Sequence, residues 1–238
     1  MQTSLYVGLS AQVALMKRMD TLAHNVANAQ TPGFRAETID FREVLSRAGD
    51  SPVAFVDSGQ THLARESGGI EKTGNPLDVA VNGESWLGLA TPDGVVYTRD
   101  GRLNIDAGGI LRSVDDYPIV DAGGAPITVD PSAGPLAIAT DGMITQSGRQ
   151  IGAIGLFRLP AAATLTRFDN SAVRSSAPGE PVLDFTSNKV MQGYLEKSNV
   201  DAPSQMIQLI AVSRAFEAVS KANDATEGSL KDAIKSVG

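Results

Sequence analysis

The stretch TSLYVGLSAQVALMKRMDTLAHNVANAQTPG, residues 3–33, decides how this chain is read. Leu5, Leu9, Gln12, Met16, Met19, Ala23 and Val26 follow one another at alternating steps of four and three, a heptad-like seam interrupted by one polar residue. Thr31-Pro32-Gly33 cannot continue a helix, so the helix stops before it. At about 1.5 Å per residue it would be roughly 40 Å long. The other end of the chain mirrors it. Asp201 is a helix N-cap candidate, and Pro203 is tolerated in a first turn. Leu209, Val212, Phe216, Val219, Asn223, Thr226 and Leu230 then repeat at three and four, weakening after Val219. Seams this long and narrow suit another helix with a similar stripe better than the surface of a globular core. Two partners remain open: the other end of the same chain, as a helical hairpin, or the ends of neighbouring subunits. Asn25, Asn28 and Gln30 lie near the first seam, where buried amides cost stability but fix register.

Between the two helices the pattern changes. Residues 34–76 carry scattered turn signals, including Gly49, Ser51-Pro52 and Ser58-Gly59, and read as an extended connector with little regular structure. From Leu77 onward, short apolar runs alternate in the β manner: 77–81, 95–98, 103–105, 127–129 and 136–138, with a more continuous run at 151–157. Asn82-Gly83, Asp93-Gly94, Asp100-Gly101 and Asp141-Gly142 are tight-turn signals. Asp106-Ala-Gly-Gly109 recurs as Asp121-Ala-Gly-Gly124, which reads as two similar hairpin turns rather than a repeat architecture. The expected fold is mainly β with α: a compact, glycine-rich antiparallel β domain over 77–200, inserted between coiled-coil-forming helices at 1–33 and 201–238.

Composition removes several function classes. The 238 residues carry a formal charge of -7, and the longest basic run is the pair Lys17-Arg18, so no footprint for nucleic acid exists. There is no cysteine, hence no disulfide framework, zinc knuckle or thiol nucleophile. The opening residues lack a basic stretch followed by an apolar run, so no cleaved signal is expected, and no window is apolar enough for membrane insertion. Only His24 and His62 could serve a catalytic triad; the first lies in the predicted helix and the second in the connector. Residues 100–106 lack the ligand spacing of a calcium loop, and the adjacent Asp115-Asp116 would point to opposite strand faces. No phosphate-binding or nucleophile-elbow motif appears. No catalytic, cofactor-binding or metal site is expected.

Four blocks carry a resemblance. Residues 23–34, Ala-His-Asn-Val-Ala-Asn-Ala-Gln-Thr-Pro-Gly-Phe, are followed by 73–83, by Tyr97-Thr98-Arg99-Asp100-Gly101-Arg102-Leu103, and by 193–200 with Met206-Ile207-Gln208-Leu209-Ile210 and Arg214-Ala215-Phe216-Glu217. In order, they resemble the flagellar rod and hook family of axial proteins over nearly the whole chain. His24 stands where that family's signature commonly has Asn, Val26 where it has Leu, and Gln205 where it has Glu. Length and the opening Leu5-Tyr6-Val7-Gly8-Leu9-Ser10 are most similar to proximal-rod members, with distal-rod members the alternative. The resemblance implies a structural subunit of the flagellar basal body. It would be exported uncleaved through the flagellar type III apparatus and would pack with copies of itself and with other rod subunits in the periplasmic space. The rod would transmit torque from motor to hook. The expected assembly interface is Leu5, Leu9, Met16, Met19, Val26, Leu209, Val212, Phe216 and Val219. Asn25, Asn28, Thr31, Gly33 and Phe34 form the helix-end signature, setting register and shaping the exit from the helix. A reading of a different class is a β-domain binding module or polysaccharide-processing enzyme with helical dimerisation ends.

Overall fold

A computed structural model describes residues 2–46, 53–57 and 59–237; the turn signals at Gly49, Ser51-Pro52 and Ser58 and the side chain of Leu230 lie outside what it describes. The chain forms two compact units. One comprises residues 1–27, 37–62 and 201–238, and the other residues 28–36 and 63–200. The architecture is mixed β with α, two terminal helices flanking many antiparallel strands.

The first unit is built on α1 (Gln2–Ala27) and α2 (Ala202–Val237). They pack directly and run antiparallel, since Gly8 lies against Asn223 and Asn25 hydrogen-bonds Gln205. A Cβ on Gly8 would come within 1.9 Å of Asn223 Oδ1, so the missing side chain is what lets the helices approach there. On α2 a seam of buried and half-buried positions runs 202, 205, 209, 212, 216, 219, 223 and 226, with 213 and 220 half-buried beside it. On α1 a seam of such positions runs 5, 8, 12, 15, 19, 22, 26. It shares Leu5, Gln12, Met19 and Val26 with the expected seam but takes Gly8, Leu15 and Leu22 in place of Leu9, Met16 and Ala23, which are exposed. The two choices differ by one residue at three positions, and both are apolar. The glycine contact selects the first.

Four strands join the helices: β1 (Glu37–Asp40), β2 (Glu43–Ser46), β3 (Val53–Val56) and β4 (Gln60–Leu63). β1 pairs with β4, and β2 with β3 as an antiparallel hairpin from Glu43↔Val56 to Ser46↔Val53. The reading of 34–76 as a connector is therefore corrected. The segment holds strands at 37–40, 43–46, 53–56, 60–63 and 70–72, and Ile39 and Phe41 pack where Gly59, at φ +73°, leaves no room for a side chain.

The second unit begins with β5 (Ile70–Lys72), β6 (Val79–Asn82), β7 (Trp86–Thr91), β8 (Gly94–Thr98), β9 (Leu103–Ile105) and β10 (Leu111–Ser113). It continues through β11 (Leu136–Ile138), β12 (Met143–Gln146), β13 (Arg149–Ala153), β14 (Leu156–Arg158), β15 (Leu165–Phe168), β16 (Ala172–Ser175), β17 (Glu180–Pro181), β18 (Lys189–Gln192) and β19 (Tyr194–Glu196). Its main sheet has the order β15-β16-β8-β7-β14-β17. Alternation places Leu87, Leu89, Val96, Leu156 and Ala172 in one core, and Trp86, Tyr97, Phe157 and Val173 in another, so both faces are buried. The apolar run 151–157 is split at Gly155, whose Cβ position would meet the Asp121 backbone at 2.5 Å. Asn82-Gly83 does not close a hairpin, because β6 pairs with β18 rather than β7.

The two Asp-Ala-Gly-Gly segments take the same turn. Asp106 Oδ1 accepts from the Gly108 and Ile110 amides, Asp121 Oδ1 accepts from the Gly123 and Ala125 amides, and Gly109 and Gly124 have φ of +81° and +84°. Between them a backbone ring closes at eight-residue spacing: Leu111 N–H donates to Ile127 O, Ile127 to Ile119, and Ile119 to Leu111. Ile127-Thr128-Val129 thus serves as a bridging segment of this ring rather than as a regular strand.

Candidate functional site

The first unit presents apolar surface that its own packing does not use. Tyr6, Leu9, Val13 and Met16 recur at three and four along α1 and are 61%, 53%, 42% and 49% exposed. Met206, Ile207 and Ile210 are exposed on α2. Tyr6, Leu9 and Val13 line an open groove of about 550 Å³ together with Phe55 and Val56. Of the expected interface residues, Leu209, Phe216 and Val219 are half-buried and Val212 is buried, along the side of α2 whose Asn223 meets Gly8; Leu5, Met19 and Val26 are half-buried on α1. Leu9 and Met16 belong to the open stripe instead.

Asn25 is 1% exposed and fully engaged. Its Oδ1 accepts from Glu37 N at 2.8 Å, and its Nδ2 donates to Glu37 O at 2.8 Å and to Gln205 Oε1 at 3.1 Å. One amide therefore joins α1, β1 and α2. His24 lies 3.8 Å from Glu37, and His62 lies 3.7 Å from Asp40. The Asn28 carbonyl accepts from Thr31 N, and its side-chain oxygen from the Thr31 hydroxyl.

In the second unit parts of the four quoted sequence blocks come together, from 33–34, 73–79, 99–101 and 193–199. Gly33, at φ +67°, sits with its Cβ position 2.2 Å from Asp100 N and 2.3 Å from Arg99 C, which only glycine permits. Its amide donates to Glu196 O. Phe34 is fully buried, with the Arg167 guanidinium 4.1 Å over its ring. Asn199 Oδ1 accepts from Ala36 N at 2.7 Å, and its Nδ2 donates to Glu66 O at 2.8 Å. Residues 73–79 tie two of these blocks together: Thr73 N and Gly74 N donate to Gly193 O, Gly193 N donates to Asp78 O, and Val79 N donates to Gly101 O.

At the centre lies a buried Arg–Glu–Arg cluster. Arg35 Nη1 is 2.5 Å from Glu196 Oε1, and Arg99 Nη1 is 3.0 Å from Glu196 Oε2. Oε1 also accepts from Gly68 N at 3.0 Å. Arg99 donates further to the carbonyls of Val81 and Gly83, and both guanidinium groups lie over the Trp86 ring, at 5.3 and 5.5 Å. Burial pushes Arg99 down to about 10, against the pull of Glu196 and with the push of Arg35. Arg35 Nη1 is off hydrogen-bonding direction, and Arg35 Nε and Nη2 and Arg99 Nε have no hydrogen-bond partner among the described residues.

Comparison with known proteins decides the family. The chain is 44% identical over 238 residues, all of its length, to the flagellar basal-body rod protein FlgF of Rhizobium meliloti (strain 1021), of which it covers 99%. It belongs to the flagellar basal-body rod protein family. It is 43% identical to FlgF of Mesorhizobium japonicum, again over the whole chain and 99% of the relative. It is also 28% identical to the rod protein FlgG of Bacillus subtilis (strain 168), over 98% of both. Three family models match: Flagella basal body rod protein over 5–35, Flagellar hook protein FlgE/F/G D1 domain over 80–146, and Flagellar basal body rod FlgEFG protein C-terminal over 191–235. The chain is accordingly a structural subunit of the flagellar basal-body rod. As a rod-family member it assembles with other axial proteins. No helix among the described residues is long and apolar enough to cross a membrane.

Those segments put the buried cluster in a new light. Arg35, Arg99 and Glu196 each come from a different family-matched segment. Periodicity did not point to them, because a charged residue at a strand end reads as solvated. The signal lay in the neighbouring glycines: Gly33, Gly68, Gly83 and Gly101 all mark places where backbone meets backbone.

Proposed function

We propose that this rod subunit occupies the proximal rod and polymerises by packing the open stripes of α1 and α2 against the terminal helices of copies of itself and of other rod subunits. The observation that carries this is the apolar surface left on the helices. Among the described residues, seven of the thirteen exposed large apolar side chains, Tyr6, Leu9, Val13, Met16, Met206, Ile207 and Ile210, lie on α1 and α2. The proximal position is favoured by higher identity to relatives named FlgF than to those named FlgG. The chain travels uncleaved through the flagellar type III apparatus and works in the periplasmic space as part of the shaft that carries torque to the hook. Its helices are marginal when alone, which suits passage as an unpacked chain and folding on assembly. No enzymatic step is assigned to it.

The test is Leu9→Asp combined with Ile210→Asp. Both positions are more than half exposed, so the purified variant should melt within about 4 °C of its parent. Cells carrying it should be non-motile, and their basal bodies should lack the subunit. Normal motility with the variant incorporated would overturn the assignment of the stripes.

A further inference from the structure

We infer that Arg35, Glu196 and Arg99 act as a register lock, fixing the one position at which the segment leaving α1 seats in the second unit. The inference rests on the rod-subunit reading for its purpose, but its geometry stands alone. Segment 28–36 continues directly from α1, and residues 197–200 lead directly into α2. Both are secured around one carboxylate. Glu196 Oε1 takes Arg35 and the Gly68 amide, Oε2 takes Arg99, and the Glu196 carbonyl takes the Gly33 amide. Asn199, three residues on, takes Ala36 N.

The cluster is poorly suited to stability. Two guanidinium groups share one carboxylate at 0–1% exposure, and four of their six nitrogens, Arg35 Nε, Nη1 and Nη2 and Arg99 Nε, make no hydrogen bond among the described residues. Taking such charges out of water often costs more than their attraction returns, and apolar replacements of similar volume are often neutral or better. What apolar side chains cannot do is select a position. Phe34 alone would tolerate a slipped segment, since apolar contact has no direction. Arg35 beside Glu196, with Gly33 against the Arg99–Asp100 peptide, admits one alignment: a slip of one residue puts Phe34 or Ala36 opposite the carboxylate and a Cβ into the backbone. Buried polar groups that give up stability to set register have precedent in coiled coils. Here the register in question is that of the chain entering and leaving the helical pair.

The test compares the full-length parent with Glu196→Gln and with the triple variant Arg35→Met, Arg99→Met, Glu196→Leu. Hydrogen exchange is followed at the Gly33 and Ala36 amides and, as an internal reference, in β7 and β8. Glu196→Gln strands two buried cations and should lower the melting midpoint. The triple variant should melt within about 4 °C of the parent or above it. Its Gly33 and Ala36 amides should nevertheless exchange at least tenfold faster, with β7 and β8 unchanged, and its incorporation into basal bodies should fall at least tenfold. Unchanged exchange at Gly33 and Ala36 would overturn the lock, whatever happens to assembly. Faster exchange with normal incorporation would overturn its purpose while leaving the rod reading untouched. If the triple variant fails to fold, the pair Arg35→Glu with Glu196→Arg replaces it: recovery of Gly33 and Ala36 protection relative to Glu196→Arg alone supports the lock, and no recovery overturns it.

Discussion

Gly33→Ala is the sharpest single-residue test of the junction. Two separate effects add. The first is conformational: alanine at φ +67° costs about 1–2 kcal/mol. The second is steric: the new methyl would lie 2.2 Å from Asp100 N and 2.3 Å from Arg99 C, and both are backbone atoms that no rotamer change can move. Forced overpacking of this kind costs about 1–3 kcal/mol. Together they predict a loss of about 2–5 kcal/mol, a midpoint roughly 5–20 °C lower for a chain of this size. Gly74→Ala separates the two effects, because Gly74 has φ +77° and nothing within 4 Å of its Cβ position. It should lose only the conformational part, about 1–2 kcal/mol. Trp86 is the single tryptophan and lies under Arg35 and Arg99, so its fluorescence reports the junction during melting. Gly33→Ala should melt at least about 2 °C below Gly74→Ala. Equal midpoints would refute the close approach of residue 33 to the 99–100 peptide.

Other expectations follow from single groups. Asn25→Ala should cost about 1–3 kcal/mol, because it strands the Glu37 amide and carbonyl, whereas Asn28→Ala should cost less than about 1 kcal/mol; paired thermal melts decide. Asp115 is held above the usual carboxylate range, first by burial and then by Asp169 and Asp100, against Arg102. A raised carboxyl destabilises the ionised fold, so Asp115→Asn should raise the midpoint at neutral pH, and the gain should fade as acid protonates the parent. Asp106 is held below that range, first by Arg112 and then by the Ile110 and Gly108 amides. Its contribution is complete above the unfolded carboxylate value and is lost as pH falls through its own lower value. Asp106→Asn should therefore flatten the acid limb of the stability profile.

The terminal helices were legible because their signal is periodic. Steps of three and four over Leu209, Val212, Phe216 and Val219 can be counted, and Thr31-Pro32-Gly33 marks a stop. The face of α1 was less legible. Gly8 and Leu9, Leu15 and Met16, and Leu22 and Ala23 are all apolar neighbours, so two seams one residue apart satisfy the same period. Which one meets α2 was decided by a glycine-to-asparagine contact 215 residues apart in sequence. The strands of 37–72 were hidden for another reason: they are three or four residues long, β4 and β5 are largely exposed and so carry no apolar alternation, and β5 pairs with β19 more than 120 residues away. The buried cluster was the least visible. Arg99, Glu196 and Asn199 lay inside quoted motifs, yet no local pattern distinguishes an arginine destined for full burial from one in solvent. Its meaning is tertiary, in the meeting of three segments.

The most direct measurement is mass spectrometry of purified basal bodies, with peptides of this chain quantified against an established rod component. A rod subunit should be present at abundance comparable to that component, and its signal should be lost in the Leu9→Asp, Ile210→Asp variant. Absence of the unaltered chain from intact basal bodies would contradict it.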